Sequence, residues 1–358
     1  MRALTVIPGT GGTTHLEDVP EPPLEDGEVL VQTVAIGVCG TDIEITQGKY
    51  GAAPAGEERL IIGHESLGRV REAPAESGFS AGDWVVGMVR RPDPVPCPSC
   101  AVGEWDMCRN GQYTERGIMA RHGFASERFR IAPEFIVKVD AGLGELAVLL
   151  EPTSVVAKAW EHAERIGARS RWTARRVLVT GAGPIGLLAA ALGVQRGLEV
   201  HVLDRAVDGP KPTLVRDLGA TYHSGAISDA GSDWDLIFEC TGAGALFFDA
   251  IRAAAPDGIV CLTGVSSGGL TVAADPGALN RELVLENNVV FGSVNANRRH
   301  YQAAAEALAK ADRSWLAGLI TRRIPLERWS EAFARQQNDV KTVLTFAAPA
   351  SAGLVDGQ

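Results

Sequence analysis

Along the first 140 residues the apolar positions come in short runs broken by glycine and proline. ALTVI, EVLVQTVAIGV, LGRVREA, DWVVGMVR and FIVKV each read as strands, with turn residues between them. Helical periodicity is scarce there, so this part is expected to be a β-rich domain. The pattern changes at Leu146–Arg165, where AVLLEPTSVVAKAWEHAERI has helical composition and Pro152 fits a kink or a helix start. Beyond it, strands and helices alternate. VLVT, HVLD, TYHS, LIFEC, IVCLTG and VVFGSV make six strands, with LLAAALGVQRG and ALFFDAIRAAA as helices between some of them. Such alternation predicts an α/β protein with a doubly wound parallel sheet. RRHYQAAAEALAKA, IPLERWSEAFARQ and VKTVLTF no longer extend the series, and this part is expected to rejoin the first domain. The closing AAPASAGLVDGQ reads as a frayed tail.

The turn after the first of those parallel strands carries chemistry. Val177 to Thr180 form a β-branched, apolar run, and Gly181, Gly183 and Gly186 follow in G-x-G-x-x-G spacing. The first glycine allows a tight turn, the second lets the backbone approach a pyrophosphate, and the third lets helix and strand pack closely. Pro184 and Ile185 open the helix, whose first N–H groups face the phosphates. Asp204 ends VHVLD 18 residues after Gly186, where a carboxylate accepts hydrogen bonds from an adenosine ribose. The combination predicts a dinucleotide site. Thr241, Gly264 and Val265, in the turns after the fourth and fifth strands, are expected to line it. A carboxylate at Asp204 repels a 2′-phosphate, so NAD is the expected preference. Arg205 and Lys211 leave room for NADP.

Composition narrows the picture further. A chain of 358 residues suits about two domains. Hydrophobic residues at 46% and charged residues at 22% describe an ordinary globular protein. A net charge of −10 argues against a nucleic-acid partner, whose phosphates demand clustered Lys and Arg. No apolar run approaches the length of a membrane span, and MRALTVIPGTGG has no signal-peptide core. Six unevenly spaced cysteines favour a reducing, cytoplasmic compartment, with thiols used for metal or packing.

Two groups of residues suit metal. Cys39 in GVCGTDIE, His64 in IIGHES and Glu151 in LLEPTS combine thiolate, imidazole and carboxylate, the set of a catalytic zinc with one open position. Taken singly, each is equally at home in a core or a turn, and no spacing rule links residues 25 and 87 apart. Cys97, Cys100 and Cys108 do have local spacing, as Cys-x-x-Cys with a third cysteine soon after. Three thiolates leave tetrahedral zinc one ligand short, and Asp93 is the nearest candidate for the fourth. The alternative is a proline-rich loop with unligated thiols. Cys240 and Cys261 sit in apolar strand runs and read as core.

These motifs resemble the medium-chain, zinc-dependent alcohol and polyol dehydrogenases, and among them most closely the microbial glucose dehydrogenases. The resemblance rests on CGTDIEI at Cys39–Ile45, GHE at Gly63–Glu65, GQYTERGI at Gly111–Ile118, LLEPTSV at Leu149–Val155, the glycine fingerprint and GALNRELVLENNVVFGSVNANRRHY at Gly277–Tyr301. It implies a GroES-like catalytic domain over residues 1–154, a Rossmann domain over 155–294 and a segment 295–358 returning to the catalytic domain. It implies that Cys39 and His64 hold a catalytic zinc, with Glu65 and Glu151 binding it directly, through water, or at different stages of turnover. Thr41 takes the position that hands on the substrate proton, and Asp42 stands behind His64. Glu115, Glu151, Asn295 and Asn297 are implied to meet sugar hydroxyls or the nicotinamide region. Turn formation is the alternative account of the two asparagines, and the resemblance favours the site role.

The implied reaction is hydride transfer from a sugar hydroxyl carbon to NAD or NADP, with glucose giving its lactone, in a homodimer or homotetramer. One departure stands out. The family's second, structural zinc lobe commonly has four cysteines, where this chain has three and Asp93 nearby. Rival readings are a dehydrogenase of cyclitols, amino sugars or other polyols, and a nucleotide-binding relative without catalysis.

Overall fold

The computed structural model describes residues 1–22, 27–266 and 274–346. The tail AAPASAGLVDGQ lies outside them. The six strands expected in the second half form one parallel sheet. Their spatial order is Thr221–His223, Glu199–Leu203, Arg176–Thr180, Trp234–Glu239, Ala254–Leu262, Val289–Gly292. Val177, Leu178 and Val179 are fully buried, as a parallel strand covered by helices on both faces must be. The strand order reverses between Arg176–Thr180 and Trp234–Glu239. A crevice opens there at the carboxyl ends, the place where doubly wound sheets bind ligands.

The first half is built on a seven-stranded sheet centred on Val29–Val38, which pairs antiparallel with Glu65–Glu72. The last described strand, Lys341–Thr345, lies on the other side of Val29–Val38 and is followed by Ile320–Pro325. DWVVGMVR does not form one strand. It splits into Trp84–Gly87 and Arg90–Arg91, which belong to different sheets. The break turns Arg90 towards Glu115, its register partner in a small separate sheet.

Helix Leu150–Gly167 joins the halves and runs continuously through the 154/155 limit drawn from the sequence. Pro152 lies in its first turn, where no intrahelical N–H is required. Val156, Ala159, Trp160 and Ala163 recur at helical spacing and are all buried. The Trp160 ring sits 4.8 Å from that of Phe238, and its Nε1 donates to the Ala189 carbonyl at 3.2 Å. Truncating such a ring costs about 3–5 kcal/mol. One apolar core therefore continues from Leu67 and Val86 of the first half into Val179 and Phe238 of the second.

Candidate active site

Strand Val29–Val38 delivers the chain to Cys39, which caps helix Gly40–Thr46. Cys39 Sγ accepts the Thr41 N–H at 3.3 Å. His64 opens strand Glu65–Glu72 and brings Nε2 to 3.2 Å from Cys39 Sγ. Its Nδ1 stands 3.1 Å from Asp42 Oδ1. Burial opposes the charge of Asp42, but His64 and the Cys39 N–H, 2.9 Å from Oδ2, outweigh it and hold this carboxyl below its ordinary range. An ionised Asp42 favours a proton on His64 Nδ1 and leaves Nε2 as the nitrogen that faces Cys39. Cys39, His64 and Glu65 each offer a ligand atom within 4.8 Å of the others. That donor set fits zinc with a position left open.

Glu65 is 2% exposed and ion-paired to Lys341, which arrives from the last described strand. A Cβ on Gly37 would collide with this pair, so the glycine makes room for it. Glu151, in the first turn of the joining helix, is also buried. Burial pushes its carboxyl up to about 7, with the like charge of Glu65 adding and His64 opposing. Thr41 is half-buried in the first turn after Cys39.

Glu115 and Asn295 meet directly. Asn295 Nδ2 donates to Glu115 Oε1 at 2.7 Å, and Arg90 donates to the same oxygen from Nε at 3.1 Å and Nη2 at 3.0 Å. With these donors converging on Oε1, Oε2 is the oxygen with lone pairs to offer a ligand hydroxyl. Asn297, expected beside the substrate, is turned away from this pair. It caps helix Arg298–Lys310, donates to Asp106 and is 1% exposed.

In the cysteine lobe, Cys97, Cys100 and Cys108 place their sulfurs within 4.8 Å of one another. Backbone N–H groups of Arg109 and Cys100 bring Cys97 down to about 6, while burial pushes Cys100 up to about 11. The Cys108 thiol donates to Asp93 Oδ2 at 3.2 Å. Asp93 Oδ1 is buried without a hydrogen-bond partner, an orphaned acceptor that a cation would satisfy.

The glycine turn fits a pyrophosphate residue by residue. Gly181 has φ +94°, and a Cβ on Gly186 would collide with the Gly181 carbonyl. Gly183 has nothing within 4 Å of its Cβ position. Pro184 and Ile185 start helix Pro184–Gln195. Asp204 accepts the N–H of Ala182 at 2.7 Å and of Ala206 at 3.0 Å, and Lys211 Nζ lies 3.2 Å away. Burial opposes the Asp204 charge, but these donors hold its carboxyl below the ordinary range. Arg205, Thr241 and Val265 are exposed, and Gly264 packs against Gly242. Two variants separate fold from cofactor. Gly186→Val is expected to fail in folding, whereas Gly183→Val folds with an unchanged melting temperature and raises the cofactor KM about tenfold or more. Thermal unfolding and steady-state kinetics check both.

Comparison with known proteins agrees with this geometry. Residues 25–141 match the family described as Alcohol dehydrogenase GroES-like domain, and residues 144–346 match Glucose dehydrogenase C-terminus. Glucose 1-dehydrogenase of Methanocella arvoryzae is 39% identical, over 97% of this chain and 100% of the relative. Glucose 1-dehydrogenase of Thermoproteus tenax is 40% identical, over 96% and 99%. The chain belongs to the medium-chain zinc dehydrogenase family. A solved family member, Haloferax mediterranei glucose dehydrogenase in complex with NADP, Zn and gluconolactone, superimposes with a TM-score of 0.90 at 33% identity, covering 97% of this chain and 100% of its own. Members of the family depend on zinc and use NAD or NADP, and the donor set and glycine turn here fit both.

Two site residues of this family member escape a reading of the sequence. One is Lys341. The other is Glu239, 3% exposed at the end of strand Trp234–Glu239. Its carboxylate accepts the N–H of Thr241 at 2.8 Å and of Gly242 at 3.1 Å, and its carbonyl accepts those of Thr263 at 2.8 Å and Gly264 at 3.0 Å. It thus ties together both turns expected to line the dinucleotide. Its one sequence signal was an acid closing a strand beside the crevice.

Proposed function

We propose that this protein oxidises the C1 hydroxyl of an aldose, glucose foremost, to the lactone with NAD or NADP. The observation that carries the reading is the Cys39–His64–Glu65 donor set with Asp42 behind the imidazole. The substrate class is supported by the glucose 1-dehydrogenase relatives and by the gluconolactone bound to the Haloferax protein. Zinc held by Cys39 and His64 would supply Lewis-acid polarisation of the reacting hydroxyl, and the nicotinamide would accept the C1 hydride. Asp42 orients His64 for that role. Thr41 takes the hydroxyl proton outward, so that loss of hydride and proton together leaves the lactone. Glu115, steered by Arg90 and Asn295, accepts from a sugar hydroxyl, and a site built in this way rejects analogues lacking that group. Asp93, Cys97, Cys100 and Cys108 would hold a second metal that staples the lobe.

The test is a dehydrogenase assay of metal-quantified protein against aldoses, cyclitols and other polyols. Faster turnover of a cyclitol than of any aldose would overturn the reading. NAD is the preferred cofactor, because Asp204 offers its carboxylate where the adenosine ribose binds. Lys211 compensates part of that charge and lets NADP enter. Asp204→Ser is expected to lower kcat/KM with NAD by about 10–100-fold, the worth of a hydrogen bond to a charged group, and to raise the NADP/NAD ratio. An unchanged ratio would sink this assignment.

The protein acts as a homo-oligomer. Strand Val289–Gly292 ends the parallel sheet, and its outer edge is unpaired among the described residues. Val284 and Leu285, which end the helix before it, are 65% and 60% exposed. Edge-to-edge pairing of two copies would cover all of these; sedimentation at micromolar concentration reads the state directly. Among the described residues no helix is long and apolar enough to cross a membrane. All six cysteines are free thiols, which suits the cytoplasm.

A further inference from the structure

Behind the Glu115–Asn295 pair lies a buried polar cluster that no step above uses. Asp106 is in the short turn Trp105–Met107 of the cysteine lobe and Lys158 is midway along the joining helix; they are 4% and 2% exposed. Lys158 Nζ stands 2.9 Å from Asp106 Oδ2 and donates to the Val294 carbonyl at 2.9 Å. Asn297 Nδ2 donates to Asp106 Oδ1 at 2.6 Å. The Asp106 carbonyl accepts Arg90 Nη1 at 3.1 Å. This is the same Arg90 whose Nε and Nη2 hold Glu115 Oε1.

Asp106, His162 and His300 also place ligand atoms within 4.8 Å of one another. The cation already there is the Lys158 ammonium, and His300 Nδ1 is the acceptor of the Asn297 N–H at 3.1 Å. The cluster is a clamp. Its two grips on the loop fall at Val294 and Asn297, either side of Asn295. That residue has φ +63°, a left-handed backbone that needs support from its surroundings. Among the described residues, the polar contacts steering the Glu115 carboxylate therefore lead back to Asp106, through Arg90 on one side and the loop on the other.

We infer that Asp106, with Lys158 and Asn297, is a positioning residue for sugar recognition: it sets Asn295 and Arg90 so that both meet Glu115 Oε1. The inference rests on Glu115 being the sugar-binding carboxylate, and the test separates the two. Asn297→Ser keeps a helix-capping hydroxyl but cannot reach Asp106. Asp106→Asn removes the charge that Lys158 faces. In the metal-loaded enzyme at saturating cofactor, each variant is expected to raise the glucose KM about tenfold while kcat changes less than about threefold. Glu115→Gln alone raises the glucose KM as well, and Asn297→Ser adds nothing further in the double variant, because both remove one function.

A Glu115→Gln enzyme with unchanged KM would overturn the sugar-site reading and the inference with it. A raised KM in Glu115→Gln with none in Asn297→Ser, or effects that multiply in the double variant, would overturn the inference alone. If Asp106→Asn fails to fold, Asn297→Ser carries the cycle by itself.

Discussion

Replacing Cys39 with alanine is expected to lower kcat/KM for glucose about a thousandfold or more while NADH still binds. Lewis-acid stabilisation of a developing oxyanion is worth several kcal/mol, and each 1.36 kcal/mol is tenfold in rate, so losing it costs at least about a thousandfold. The dinucleotide turn is built from Gly181–Gly186 on another sheet and does not depend on Cys39. Metal analysis, steady-state kinetics and NADH fluorescence titration read the three quantities separately. A milder variant gives a graded control. Asp42→Asn keeps the shape behind His64 but removes the charge that fixes its tautomer, and about a 10–100-fold loss of metal affinity or activity follows. Full activity in a metal-free Cys39→Ala protein would end the zinc reading.

The second large effect is on stability. Lys341→Met is expected to destabilise the fold by about 3–5 kcal/mol, because it leaves the buried Glu65 carboxylate without its cation. The double variant Glu65→Gln/Lys341→Met should recover much of that loss, since removing both charges leaves nothing unpaired. Burial pulls the Lys341 ammonium down, but Glu65 outweighs it and holds the group above its ordinary range. The stability that Lys341 contributes is therefore fully present just below the usual lysine pKa and is lost as pH rises through the raised value. Urea unfolding at neutral pH measures both variants. A wild-type midpoint in Lys341→Met would show that the pair carries no weight.

What was legible in the sequence was local. A β-branched run, three glycines and an acid 18 residues on are features of neighbouring positions, so Val177–Asp204 could be read as a cofactor site directly. The six parallel strands were legible for the same reason, since each is a short apolar run with its own turns. The Cys39–His64 meeting was proposed through a family likeness, because nothing in residues 25 apart fixes a 3.2 Å contact. Lys341 shows the limit most clearly. In VKTVLTF it looks like the charged end of a strand, and only the pairing of Lys341–Thr345 with Val29–Val38 puts it on Glu65. Asn297 shows the converse. Its motif promised a ligand contact, while its side chain serves a helix end and a buried carboxylate.

The weaving of Lys341–Thr345 into the first half's sheet also has a consequence for synthesis. The strand Val29–Val38 leaves the ribosome about 300 residues before the partner that completes its edge. At about 5–20 residues per second that interval is roughly 15–60 s. Throughout it Glu65 lacks its lysine, whereas the parallel sheet has all six of its strands once Gly292 emerges. The nascent chain therefore carries a nucleotide sheet with every strand in place beside an unsealed catalytic one, and the metal pocket closes last.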